Sequence, residues 1–246
     1  MGGNRSKRHR LWLGLTLLAV LIAGLVIAGR ARQAAPVPTG LFTTLPILWN
    51  ESADVAGLLK ADQPPHWAKA GLRARGPIAA LDVLAPEQLA RVQQLVIAQP
   101  RPLGPTENVA LDDWVRGGGH LLLLADPALT EESRFAIGDP RRPQAVVLLS
   151  PILTRWGLEL RFDDVQPFGE RAVTVAGVTV PTNLAGHWAA KSGQCVIEGE
   201  GLMARCTIGK GQVTALADAE LLNADDPEGT RAAALPALLD RAFTAN

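Results

Sequence analysis

Apolar runs of four to six residues, each closed by Gly, Asp or Pro, recur along the chain and alternate with stretches of helical period. Two of them share a template. Gly119-His120-Leu121-Leu122-Leu123-Leu124-Ala125-Asp126 and Gly211-Gln212-Val213-Thr214-Ala215-Leu216-Ala217-Asp218 both pass from a Gly turn through an apolar run to Leu-Ala-Asp, with a Leu three residues on. Short apolar runs bounded in this way predict buried strands of a parallel sheet. Each Asp then stands just past the C-terminal end of its strand, where open α/β sheets bind ligands.

Around these two segments the pattern predicts strands over 45–49, 78–84, 95–98 and 158–162, and helices over 54–60, 86–92, 106–116, 146–156 and 227–243. Pro86 suits a first helical turn. Leu111, Trp114 and Val115 form the apolar stripe of the 106–116 helix, which Gly117-Gly118-Gly119 ends. The alternating run 171–180 predicts a hairpin turning at Ala176-Gly177. A second hairpin, turning at Glu200-Gly201, sets Cys195 directly across from Cys206. The polar excursion 126–144 is too long for a simple connector and reads either as a functional loop or as a solvated one. The sum is an α/β core with a small antiparallel insertion between about 165 and 208, in which the two template segments are candidates for neighbouring strands.

Residues 11–29 contain no charge, and at 1.5 Å per residue those 19 residues span roughly 28 Å, close to the hydrocarbon thickness of a bilayer. The tail before them is basic, which places it in the cytoplasm and everything after Arg30 outside. A cleaved signal peptide competes with this reading. Its apolar run would be unusually long, and Gly29-Arg30-Ala31 is an awkward cleavage site. The expected organisation is a cytoplasmic tail (1–10), a transmembrane anchor (11–29), a Pro-containing linker (30–40) and an extracytoplasmic α/β domain (41–246).

Charge changes this picture little. Lys and Arg number 24, as do Asp and Glu, but six basic residues lie in the first 32 positions, leaving 18 against 24 beyond them. Such a body has no basic footprint for nucleic acid. The 2 cysteines, Cys195 and Cys206, are expected to form a disulfide in an oxidising compartment. His66, His120 and His187 are scattered and have no ligand spacing, so no metal is expected.

Asp126 and Asp218 are either a carboxylate pair at the ligand edge or helix caps; Asp126-Pro127 has the form of an N-cap followed by Pro. Arg134, Arg141 and Arg142 in the 126–144 excursion are candidates for contact with a ligand or partner. Gly209-Lys210-Gly211 fails the Walker spacing, since position 204 is Ala and position 211 is Gly. Ser150 precedes Pro151 and no Gly-x-Ser-x-Gly elbow exists, so no catalytic residue and no cofactor is expected.

Several runs together resemble a known group: 41–51, 110–119, 137–143 and 209–218. They look like an uncharacterised membrane-anchored bacterial family, similar to the extracytoplasmic domain of gliding-motility-type ABC transporter auxiliary proteins. The resemblance implies a flavodoxin-like, class I glutamine amidotransferase-like three-layer sandwich, preceded by one transmembrane helix and lacking the amidotransferase Cys. It further implies a single-pass protein of the bacterial inner membrane with a periplasmic domain. The expected function is a non-enzymatic binding or accessory subunit partnered with ABC transporter subunits. The alternatives are a metal-assisted hydrolase using Asp126 and Asp218, or a purely structural envelope protein.

Overall fold

In the computed structural model, residues 38–49, 51, 65–226 and 228–244 are described. The expected tail, the anchor, most of the linker and the helix predicted over 54–60 lie outside the described residues.

Seven strands form one open sheet: β1 (Thr39–Thr43), β2 (Ile78–Ala80), β3 (Gln94–Ala98), β4 (His120–Leu124), β9 (Cys195–Glu198), β10 (Met203–Ile208) and β11 (Gly211–Leu216). Their order is β2-β1-β3-β4-β11-β10-β9. β2, β1, β3, β4 and β11 are parallel, β10 runs antiparallel to β11, and β9 antiparallel to β10. Between β4 and β9 the chain makes two separate two-stranded sheets, β5 (Leu158–Arg161) with β8 (His187–Ala190), and β6 (Arg171–Val175) with β7 (Val178–Thr182). The β6–β7 turn is at Ala176-Gly177, with φ of 53° and 81°, the left-handed pair that a two-residue hairpin requires.

The central strands are apolar on both faces because both are covered. On one face Leu95, Ile97, Leu121, Leu123, Val213 and Ala215 meet α3 (Pro105–Arg116) and α4 (Ser150–Arg155). On the other, Val96, Leu122, Leu124 and Leu216 meet α1 (Trp67–Arg73) and α5 (Thr230–Phe243). A short α2 (Pro86–Leu89) precedes β3. Asp112 anchors the first layer. It is fully buried on α3 and accepts from Arg116, Arg155 and the Trp156 indole. Burial raises its proton affinity, but those donors outweigh burial and hold the carboxyl below its usual range.

Several predicted elements are displaced. The first strand is 39–43 rather than 45–49, because Pro46 cannot join a ladder and the Thr43 hydroxyl accepts the Leu45 N–H, turning the chain away. The helix predicted over 146–156 begins only at Ser150, where Pro151 occupies its first turn. The flavodoxin-like sandwich is corrected as well. That arrangement ends on its fifth parallel strand, whereas two antiparallel strands extend this sheet and two further sheets interrupt it.

Candidate functional site

The C-terminal ends of β1, β3, β4 and β11 converge on one edge, and three loops are knotted there by buried polar side chains. Leu124 and Leu216 are register partners, so Asp126 and Asp218, two residues beyond them, come together. Both are fully buried. Asp126 accepts from the N–H groups of Ala128 (2.8 Å) and Ala219 (3.2 Å). Asp218 accepts from those of Glu220 (2.6 Å) and Asn183 (3.0 Å). Each carboxylate therefore holds its own loop and a neighbouring one. Burial pushes the Asp126 carboxyl up to about 6, against the pull of its two amide donors. Burial, and next the Asp126 charge, push Asp218 well above the usual carboxylate range. Each of the four carboxylate oxygens thus accepts one backbone N–H, so the pair ties the loops together.

Gln99, just past β3, completes the knot, and sequence reasoning missed it. It is fully buried with φ of 41°. Its amide donates to the Asp126 and Gln144 carbonyls at 3.1 and 2.7 Å and accepts the Asp126 N–H at 2.9 Å. Both ends of the 126–144 excursion are thus fixed to one side chain. The available signal was a lone amide between an apolar strand and Pro100.

The excursion leads from this knot to a groove of about 480 Å³, lined by Trp49, Glu51, His66, Trp67, Glu131, Glu132, Arg134 and Asp225 among others. Glu51 accepts from the Ser133 hydroxyl (2.9 Å) and the Arg134 N–H (2.8 Å), which fixes the loop against the end of the β1 segment. Trp49 lies 5.9 Å from the buried Phe135 ring. His66 caps α1 by accepting the Ala68 N–H at Nδ1, so its Nε2 donates to the Leu222 carbonyl at 3.1 Å. Burial holds that imidazole below its ordinary proton affinity, against the opposing Leu222 bond. The Trp67 indole donates to the Asn223 carbonyl at 2.9 Å. Glu131 is the group set apart here: burial first, and then the charges of Glu220, Asp225 and Glu51, push its carboxyl up to about 7, against the Ala224 amide.

Among the expected contact residues, Arg134 lines this groove. Arg141 instead pairs with Asp139 and lies over the Phe135 ring at 4.2 Å, and Arg142 donates to the Phe135 carbonyl at 2.6 Å. Cys195 and Cys206 are joined by a disulfide between β9 and β10, with Cα atoms 4.0 Å apart. Among the described residues, no group of three or more His, Cys, Asp or Glu is arranged to hold a metal ion.

No family model matches the chain, and no curated protein matches it. Among solved structures it is similar to a polyextremophilic β-galactosidase from the Antarctic haloarchaeon Halorubrum lacusprofundi, at 16% identity over 85% of this chain and 30% of that one, with a TM-score of 0.50. It is also similar to an exo-β-1,4-mannosidase from Opitutaceae bacterium strain TAV5, at 15% identity over 90% of this chain and 38% of that one, TM-score 0.48. A third is a protein described as cytoplasmic from Salmonella typhimurium LT2, at 15% identity over 70% and 84% of the two chains, TM-score 0.47. The chain spans 38% or less of the length of these two glycosidases.

These findings correct the sequence-based expectations. The similar structure with a TM-score of 0.50 is a β-galactosidase and not an amidotransferase-like domain of a transporter auxiliary protein, and no family model matches, so that family is not retained. The non-enzymatic accessory role, the structural envelope role and the ABC transporter partnership fall with it. Placement in an inner membrane with a periplasmic domain loses its support too. Among the described residues no helix is long and apolar enough to cross a membrane, and 11–29 lies outside them.

Proposed function

We propose that the chain is a hydrolase of glycosidic bonds, with its substrate in the groove between Trp49, Trp67 and the 126–144 excursion. The observation that carries this reading is Glu131, a half-buried carboxyl raised to about 7 on a groove that also presents Glu51 and Asp225. A carboxylic acid still protonated near neutrality is the proton donor that a departing glycosidic oxygen needs. The Glu51 carboxylate, fixed by Ser133 and Arg134, and the Asp225 carboxylate supply negative charge for the oxocarbenium-like sugar that develops as the bond breaks. Indole faces suit the apolar side of a sugar ring, and Trp49 and Trp67 line the same groove. Arg134, on the groove wall, is a donor for substrate hydroxyls. The glycosidases of similar fold suggest the substrate class, a β-linked galactoside or mannoside.

The test is a panel of methyl galactosides and mannosides and of disaccharides, whose alkoxide leaving groups need a proton, offered to the wild type and to Glu131→Gln. Hydrolysis by the wild type, lost in the variant while saccharide still quenches tryptophan fluorescence, supports the reading. An inactive wild type across the panel, or an equally active variant, overturns it.

A further inference from the structure

A second cavity, of about 870 Å³, opens at the opposite, N-terminal end of β4 and β11. Strand register builds its floor. His120 pairs with Gln212 and Gln212 with Thr207; one pleat further, Thr214 pairs with Arg205 and Arg205 with Val196. Paired residues share a face, as do residues two apart on a strand. The same face carries Leu122, Leu124, Leu216 and Met203, all buried. The sheet therefore changes from apolar to polar on a single face, at the point where the cavity opens.

The polar side chains are left unpaired. His120 Nδ1, Gln212 Oε1, Thr214 Oγ1 and Arg205 Nε are buried without a hydrogen-bond partner among the described residues, and they make up four of the seven such atoms there. Buried polar atoms are normally satisfied, and a polar cavity meets that need with water or a ligand. The charge is also uncompensated. Glu198, on the cavity wall, is paired with Arg241 at 2.6 Å. Arg205 and Lys210, also on the wall, are in no ion pair among the described residues. The backbone of this turn is fixed, since the Lys210 backbone N–H donates to the Arg116 carbonyl at 3.0 Å and the Gln212 backbone N–H to the Gly119 carbonyl at 3.2 Å.

We propose that this cavity binds a phosphate monoester of a polyhydroxylated alcohol, such as a sugar phosphate. The Arg205 guanidinium and the Lys210 ammonium neutralise the phosphate, and His120 and the Thr207 hydroxyl donate to its oxygens. The unpaired acceptor Gln212 Oε1, on the cavity wall, takes a hydroxyl of the alcohol part. The site is separate from the Glu131 groove and does not depend on its function.

The probes are glucose 6-phosphate, inorganic phosphate and glucose, titrated calorimetrically at low ionic strength into the full chain. Saturable binding of glucose 6-phosphate is expected, weakened about tenfold in Lys210→Gln, the loss of one charge-assisted contact. It is lost in Arg205→Gln/Lys210→Gln and unchanged in Glu131→Gln. Lys210 is exposed, so its variant keeps the test valid if the Arg205 variant does not fold. Absence of saturable binding by the wild type overturns the proposal. So does equal affinity in Lys210→Gln, binding of glucose as tight as that of its phosphate, or weakening by Glu131→Gln. Binding of inorganic phosphate as tight as that of the ester overturns the part played by Gln212.

Discussion

Gln99 and Asp126 exchange hydrogen bonds: the Asp126 N–H donates to Gln99 Oε1 at 2.9 Å, and Gln99 Nε2 donates to the Asp126 carbonyl at 3.1 Å. The same Nε2 holds the Gln144 carbonyl at 2.7 Å. One side chain just past β3 thus closes both ends of the excursion that carries Glu131 to the groove. Its left-handed backbone, unusual for a residue with a Cβ, is sustained by these bonds.

Gln99→Ala removes that closure and leaves the Asp126 N–H and the Gln144 carbonyl unpaired in a buried place, while the Asp126 carbonyl keeps the Val147 N–H. The expected cost is about 2–3 kcal/mol, read from urea denaturation. Hydrogen exchange across 127–144 should accelerate by more than exchange in β3. Uniform acceleration would instead mean that Gln99 supports the whole sheet.

Stability should peak under mildly acidic conditions. Asp126, Asp218 and Glu131 bind protons more tightly folded than unfolded, so their stabilising effect is complete below about 4 and is lost as pH rises toward about 7. An Asp moved from 3.8 to about 6 corresponds to roughly 3 kcal/mol between its protonation states. Glu107 opposes this on the acid side. Hydrogen bonds from Arg101 lead the causes that hold it at about 2, so its contribution is present above 4.5 and lost as pH falls below that. The denaturation midpoint should therefore rise from pH 7.5 to about pH 5 and fall again below about pH 4. Asp218→Asn should flatten the neutral limb and Glu107→Gln the acid limb.

Asp112→Ala leaves the buried Trp156 indole N–H and two arginines without their acceptor. A loss of about 2 kcal/mol is expected in thermal or urea melts, since the arginines are partly exposed and rehydrate. Asp112→Asn, which keeps one acceptor, should lose less.

Cys195→Ser/Cys206→Ser should cost about 2–3 kcal/mol through the looser unfolded chain, and reduction of the wild type should give the same shift. A smaller effect would show that the β9–β10 ladder holds that edge unaided.

The parts of the fold readable in the sequence are those set by local pattern. The runs at 95–98 and 121–125 were placed within a residue of β3 and β4 because both faces of those strands are buried. Ala176-Gly177 marked its hairpin by turn chemistry, and the pairing of Cys195 with Cys206 followed from counting along the next one. β1 was displaced because its Thr-Gly start looked like linker, while the Leu-Pro-Ile run after it carried the apolar signal without a usable ladder. α1 was missed because its cap is a histidine ring nitrogen. The groove was illegible for a different reason. Its walls come from 49–51, 65–67, 131–134 and 224–226, and no local pattern links such segments. The resemblance that suggested a transporter accessory rested on four short runs, 41–51, 110–119, 137–143 and 209–218, and function is not set by fold-level likeness of that kind.

Under the proposed function, Glu131 donates the proton to the departing glycosidic oxygen. The deciding measurement is the pH dependence of kcat/KM for a methyl glycoside or disaccharide, whose leaving alkoxide needs a proton, for the wild type and for Glu131→Gln. The wild-type rate should fall as pH rises through about 7, where the carboxyl loses its proton, and Glu131→Gln should lower kcat by about 100-fold or more and abolish that limb. A variant within a few-fold of the wild type, or one that keeps the limb near 7, would contradict the claim.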